Sequence, residues 1–122
     1  MIPTRALLQS VTKQARKMVE WTAIVYDKPG SSRAAYRDQH LKDIPTSFAN
    51  GSISSAGALL NALPKEGEKL DFAGSILSVN AESKEEVLEI LSKDVYARNG
   101  VWDLTNVLIY PTIIAGRKGK DL

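Results

Sequence analysis

Residues 72–94 read FAGSILSVNAESKEEVLEILSKD, and two different periodicities meet inside this run. From Phe72 to Ala81, small and apolar side chains fill both alternating faces, which predicts a strand covered on both sides. From Ser83 the period changes. Ser83 stands three residues before Glu86, the capping-box spacing, and Val87, Leu88, Leu91 and Val95 follow on one helical stripe. The run is a strand leading into a helix that ends near Lys93 or Asp94.

Similar readings extend in both directions. Upstream, a polar loop from Asn61 to Asp71 is preceded by a small-residue strand, Ile53 to Leu60. Trp21 to Tyr26 is aromatic and β-branched, as a strand requires, and the turn Asp27-Lys-Pro-Gly30 ends it. Ser31 or Ser32 then caps a helix from Arg33 to about Asp43, with Ala34, Leu41, Ile44 and Phe48 as its apolar face. Pro45 removes an internal hydrogen bond, so a kink or restart is expected there, before Asn50-Gly51 ends the segment. Downstream, Asn99-Gly100 closes a turn, and Thr105 to Ile114 forms the last strand.

The resulting order is strand, helix, strand, strand, helix, strand. It is the βαββαβ order of ferredoxin-like α+β folds, in which a four-stranded antiparallel sheet carries two helices on one face. In a chain this short the second face lacks a cover. The sheet of a second copy supplies one most economically, so a homodimer or higher homo-oligomer is expected, a dimeric α/β-barrel.

With 122 residues there is room for one domain, divided here into a basic extension (1–20), a body (21–115) and a basic tail (116–122). Residues 1–19 carry Arg5, Lys13, Arg16 and Lys17 and no acid. The extension reads as a tail, an accessory helix or a targeting segment, which makes the expected location the cytoplasm, or the mitochondrial matrix if the segment is a presequence. From residue 20 onward, twelve Lys and Arg face fourteen Asp and Glu, which removes the electrostatic case for nucleic-acid binding. The absence of cysteine excludes disulfides, zinc-thiolate sites and thiol catalysis. No apolar run approaches the roughly 20 residues of a membrane span.

Few residues can carry chemistry. His40 is the only imidazole, hence the first candidate for a general acid or base near neutral pH. On a helix it shares a polar edge with Arg33, Tyr36 and Asp43, and it reads equally as a solvated boundary residue. Asp94 sits at a helix C-terminus, where the dipole disfavours a carboxylate. It either meets an imidazolium or caps the next turn, Val95 to Asn99. One histidine and scattered carboxylates give no metal-ligand spacing. Gly74, before Ser75, marks close backbone approach, from packing or from a ligand.

In order and spacing the residues resemble the YCII-related family, most closely its fungal members, from about Trp21 to Ala115. The pieces are Glu20-Trp21, Asp27-Lys-Pro-Gly30, Arg37 with His40-Leu41, Gly57-Ala-Leu-Leu60, Gly74-Ser75, the SKEEV run at 83–87, Lys93-Asp94-Val95-Tyr96 and Gly100-Val-Trp-Asp103. The resemblance implies a ferredoxin-like dimer whose His–Asp active-site pair maps to His40 and Asp94. Ser75 becomes a polar contact in the same pocket, Tyr96 and Trp102 line its mouth, and Tyr36 and Arg37 join the substrate-binding set. Bacterial members usually read Asp-Pro-Tyr where this chain has Asp94-Val95-Tyr96, a departure that bears on the turn presenting the carboxylate.

Relatives on this scaffold include cofactor-independent enzymes, among them dehalogenase-type eliminations on ring compounds. The implied reading is a lyase or isomerase that needs no cofactor and no metal. In it His40 abstracts a proton, steadied by Asp94, from a small cyclic organic metabolite. The alternatives are a noncatalytic small-molecule-binding or dimerisation module, and a cofactor-free oxygenase.

Overall fold

In the computed structural model, residues 18–120 are described; the basic extension read at 1–20 lies outside them except for its last three residues. The body comprises β1 (Val19–Tyr26), α1 (Arg33–Ala49), β2 (Ile53–Leu60), β3 (Phe72–Ala81), α2 (Lys84–Ser92), α3 (Val95–Arg98) and β4 (Leu108–Thr112). The strands form one antiparallel sheet in the order β2-β3-β1-β4, the ferredoxin-like arrangement expected from the element order.

Local chemistry explains most of the boundaries. Ser83 Oγ accepts from the Glu86 amide at 3.2 Å, so the capping-box residues do open α2. Gly100 (φ +69°) supplies the left-handed turn after α3. Gly74 is dictated by packing: a Cβ there would lie 2.1 Å from the Val25 carbonyl oxygen on β1. The sheet could not close around any other residue at that position.

Two expectations are corrected. The first helix does not break at Pro45 but runs unbroken to Ala49. Pro45 and Leu41, the donor and acceptor positions of the forfeited bond, are both exposed, so water can serve the freed carbonyl. The last strand is half the expected length. Asp103 accepts from the Thr105 amide at 3.0 Å and from Asn106 Nδ2 at 3.1 Å, which winds Leu104–Asn106 into a 3₁₀ turn before β4 begins.

The core lies between the helices and one sheet face, where Ala23, Val25, Leu77, Val79, Ala81, Val87, Leu91 and Val101 are buried. Each such side chain contributes roughly 1.5–3 kcal/mol if it is large. The pairing register sends Ile24, Ile76, Leu108 and Tyr110 to the opposite face. That face is open in the single chain, with Tyr110 58% exposed and Ile76 38%. At its end the C-terminal tail is fastened by Arg117, whose guanidinium pairs with Glu20 at 2.8 Å.

Candidate active site

The N-terminal half of α1 inverts the usual rule of helix burial. Arg33 and His40 are its two buried residues, while Leu41, on the expected apolar face, is 46% exposed. Polar side chains bury only when partnered, and here the partners come from distant parts of the chain.

Arg33 binds Asp27 through two bonds, from Nε at 2.6 Å and Nη2 at 2.9 Å. Asp27 is carried there because the end of β1 continues between two neighbours. Its amide donates to Ala73, and the Lys28 amide donates to Val101, which sets Asp27 opposite Trp102. Arg33 Nη2 also donates to Ser75 Oγ at 2.9 Å, and Trp102 Nε1 donates to the same oxygen at 3.1 Å. An ion pair, a serine and an indole thus lock α1, β3 and the 101–103 segment together.

His40 extends this cluster. Its ring stacks on Tyr96 with centroids 4.0 Å apart, and Trp102 meets it edge-on at 5.8 Å. Its Nδ1 lies 2.9 Å from Asp94 Oδ1. A carboxylate accepts, so Nδ1 is the donor in this pair, and in the neutral imidazole Nε2 is then the nitrogen with the lone pair. Nε2 has no partner among the described residues. The same Asp94 oxygen accepts from the Tyr96 amide at 2.8 Å and caps α3. The two readings of Asp94, imidazole partner and helix cap, are therefore both met. Asp94 has the extended backbone (ψ 144°) that a following proline would favour, so Val95 in the place of proline leaves the carboxylate on target.

These groups border a cavity of about 200 Å³ lined chiefly by Arg33, Arg37, His40, Phe72, Ser75 and Tyr96. Of the expected site residues, Arg37, His40, Ser75 and Tyr96 line it, and Asp94 stands behind His40. Trp102 is fully buried behind Ser75 rather than at a mouth, and Tyr36 packs against the core outside the lining. Arg33, Asp27 and Phe72 were not among the expected site residues. Opposite charges six positions apart across the 27–30 turn were the available sign of the first two.

The electrostatics are cationic. Asp27 neutralises Arg33, but Arg37 has no carboxylate partner among the described residues and its guanidinium carbon lies 5.9 Å from the Phe72 ring. Burial pushes the Tyr96 phenol up from its ordinary value, against the pull of Arg33 and Arg37, so it remains a neutral hydroxyl. Among the described residues its buried hydroxyl meets no hydrogen-bond acceptor. Among the described residues, no three His, Asp or Glu side chains gather as a metal would need, and no helix is long and apolar enough to cross a membrane.

The YCII-related domain matches residues 19–110. Fusaric acid biosynthesis protein 2 of Gibberella fujikuroi is 29% identical over 99 residues, 80% of this chain and 95% of that protein. Xenovulene A biosynthesis cluster protein asL2 of Sarocladium schorii is 31% identical over 105 residues, 81% and 91% of the two chains. Aspartate kinase FUB3 of Fusarium oxysporum is 29% identical over 108 residues, 87% of this chain, which spans only 20% of that longer protein. Among solved structures, 5-chloro-2-hydroxyhydroquinone dehydrochlorinase from Burkholderia phenoliruptrix AC1100, in complex with 2,5-dihydroxybenzoquinone, superposes with a TM-score of 0.62. It is 25% identical, and the match covers 77% of this chain and 93% of that one.

Proposed function

The chain belongs to the YCII-related domain family, and from that footing we propose a small cofactor-independent lyase or isomerase acting on a compact cyclic metabolite. The observation that carries the reading is the His40–Asp94 pair at 2.9 Å beside a cavity of about 200 Å³. Asp94 fixes the tautomer and favours the imidazolium that forms when Nε2 takes a proton. The cavity is smaller than the roughly 300 Å³ at which drug-sized pockets begin, which suits a single ring. The neighbour is named a dehydrochlorinase of such a ring, and two of the relatives above are named as fungal biosynthesis proteins.

The test is proton exchange. Cyclic ketones and hydroxyquinones incubated with the protein in D₂O should lose ring protons by NMR, and His40→Ala should slow this by roughly 10² to 10⁴ with ligand affinity kept. If wild-type protein exchanges nothing while binding the compounds, the noncatalytic binding module is the better description.

The same proposal includes a homodimer. The open sheet face, with Ile24, Ile76, Leu108 and Tyr110, is apolar and would be closed by the corresponding face of a second copy. Sedimentation should give twice the 13.3 kDa chain mass, and Ile76→Glu should return the monomer. A wild-type monomer at micromolar concentration refutes the dimer.

A further inference from the structure

Ser75 holds a hydroxyl proton that the surrounding residues leave unused. Its oxygen accepts from Arg33 at 2.9 Å and from Trp102 at 3.1 Å, and neither a guanidinium nor an indole N–H can do anything but donate. A serine oxygen has two acceptor positions, so both are spent and its own proton must be given elsewhere. Among the described residues nothing accepts it. Yet Ser75 is only 2% exposed and lines the cavity. A cationic donor on its oxygen strengthens the O–H as a donor in turn. Arg33 cannot swing away to relieve this, because Asp27 holds it by two bonds.

The other polar side chains of the lining have the same bias. Arg33 and Arg37 only donate, and the buried Tyr96 hydroxyl has no acceptor. Among these groups His40 Nε2 is the strongest base, the phenol oxygen of neutral Tyr96 being only a weak acceptor. Several unspent donors set against a single base describe a ligand that brings an oxygen and loses a proton.

We infer that Ser75 donates to the carbonyl or phenol oxygen of the substrate, which is therefore an enolisable cyclic ketone, a hydroxyquinone or a phenol that becomes an oxyanion as its proton leaves. This rests on the reading of His40 as the base and adds the group that receives the charge. For a ketone, the C–H bond adjacent to the carbonyl breaks and its proton goes to Nε2. The electron pair forms the C=C bond of an enolate whose oxygen, bound by Ser75, is negative. In an elimination the enolate collapses to the carbonyl, a new double bond forms and the leaving group departs with its electron pair. No oxidant or reductant is consumed.

A chromogenic phenol separates this from its alternatives. 4-Nitrophenol should bind the wild-type protein as its visible-absorbing anion, with affinity at least about tenfold above that of the neutral phenol, read as a fall in the pH of colour onset. Ser75→Ala should reduce the preference by about tenfold, and Ser75→Thr, which keeps the hydroxyl, should restore it. A preference unchanged in Ser75→Ala comes from the guanidiniums alone and overturns the assignment. So does equal affinity for both forms, or binding of neither, in the wild type, results that need no variant to fold. An anion preference that depends on Ser75 without any proton exchange on ketones would defeat the lyase reading and leave this one standing.

Discussion

Helices α1 and α2 pack on the same face of one sheet and bury opposite kinds of side chain. α2 buries Val87 and Leu91 against Ala23 and Val79, as an amphipathic helix does. α1 buries Arg33 and His40 and leaves Leu41 half-exposed. The apolar half gains from non-directional burial, whereas the polar half holds only where its buried charged groups are partnered. The difference marks where the sheet holds the fold together and where it builds a site.

Breaking either half should give distinct outcomes. The largest effect is expected from Asp27→Ala, which strands the buried Arg33 guanidinium: a loss of roughly 4 kcal/mol in denaturant unfolding together with loss of phenol binding. Leu91→Ala should cost roughly 3 kcal/mol from its cavity and leave phenol affinity within about twofold. The division of labour fails if Leu91→Ala abolishes binding or Asp27→Ala preserves it.

Two pH effects sharpen the contrast at smaller scale. Burial raises the Tyr96 phenol above its ordinary 10.0, and a raised folded-state value means stability fully present below the unfolded value and lost as pH climbs through the folded one. Tyr96→Phe should therefore flatten the decline in unfolding free energy above about pH 10. Glu20, on the other sheet face, runs the opposite way. The Ser54 hydroxyl and then Arg117 lower its carboxyl below 4.5, with burial opposing, so its stabilisation is present above that value and lost as pH falls through the folded one. Glu20→Gln should cost about 0.5 kcal/mol at pH 7, a difference that vanishes in acid.

What could be read in the sequence follows the same division. α2 announced itself because its cap, its stripe and its burial obey one rule, and the strand order followed from element order. α1 was read correctly at Ile44 and Phe48, which face the cavity and the core, but not at Ala34 and Leu41, which are exposed, because hydropathy is a good guide only where burial is apolar. Arg33 turns inward for Ser75, 42 residues away, and His40 for Asp94, 54 residues away, and no local pattern encodes either meeting. Family resemblance supplied His40 with Asp94, and Ser75; Arg33 stood on the polar edge beside His40, but its pairing with Asp27 and the place of Phe72 came from the fold.

One oxygen sets a limit on what this chain can vary. Asp94 Oδ1 serves His40 and the Tyr96 amide at once. The cap alone would admit serine, threonine, asparagine or aspartate; the charge alone would admit aspartate or glutamate. Only one residue belongs to both sets. Drift at position 94 is therefore confined to a single amino acid for as long as both duties are kept, and a descendant that had abandoned the histidine partnership would show it there first, as a serine, threonine or asparagine that still starts the helix.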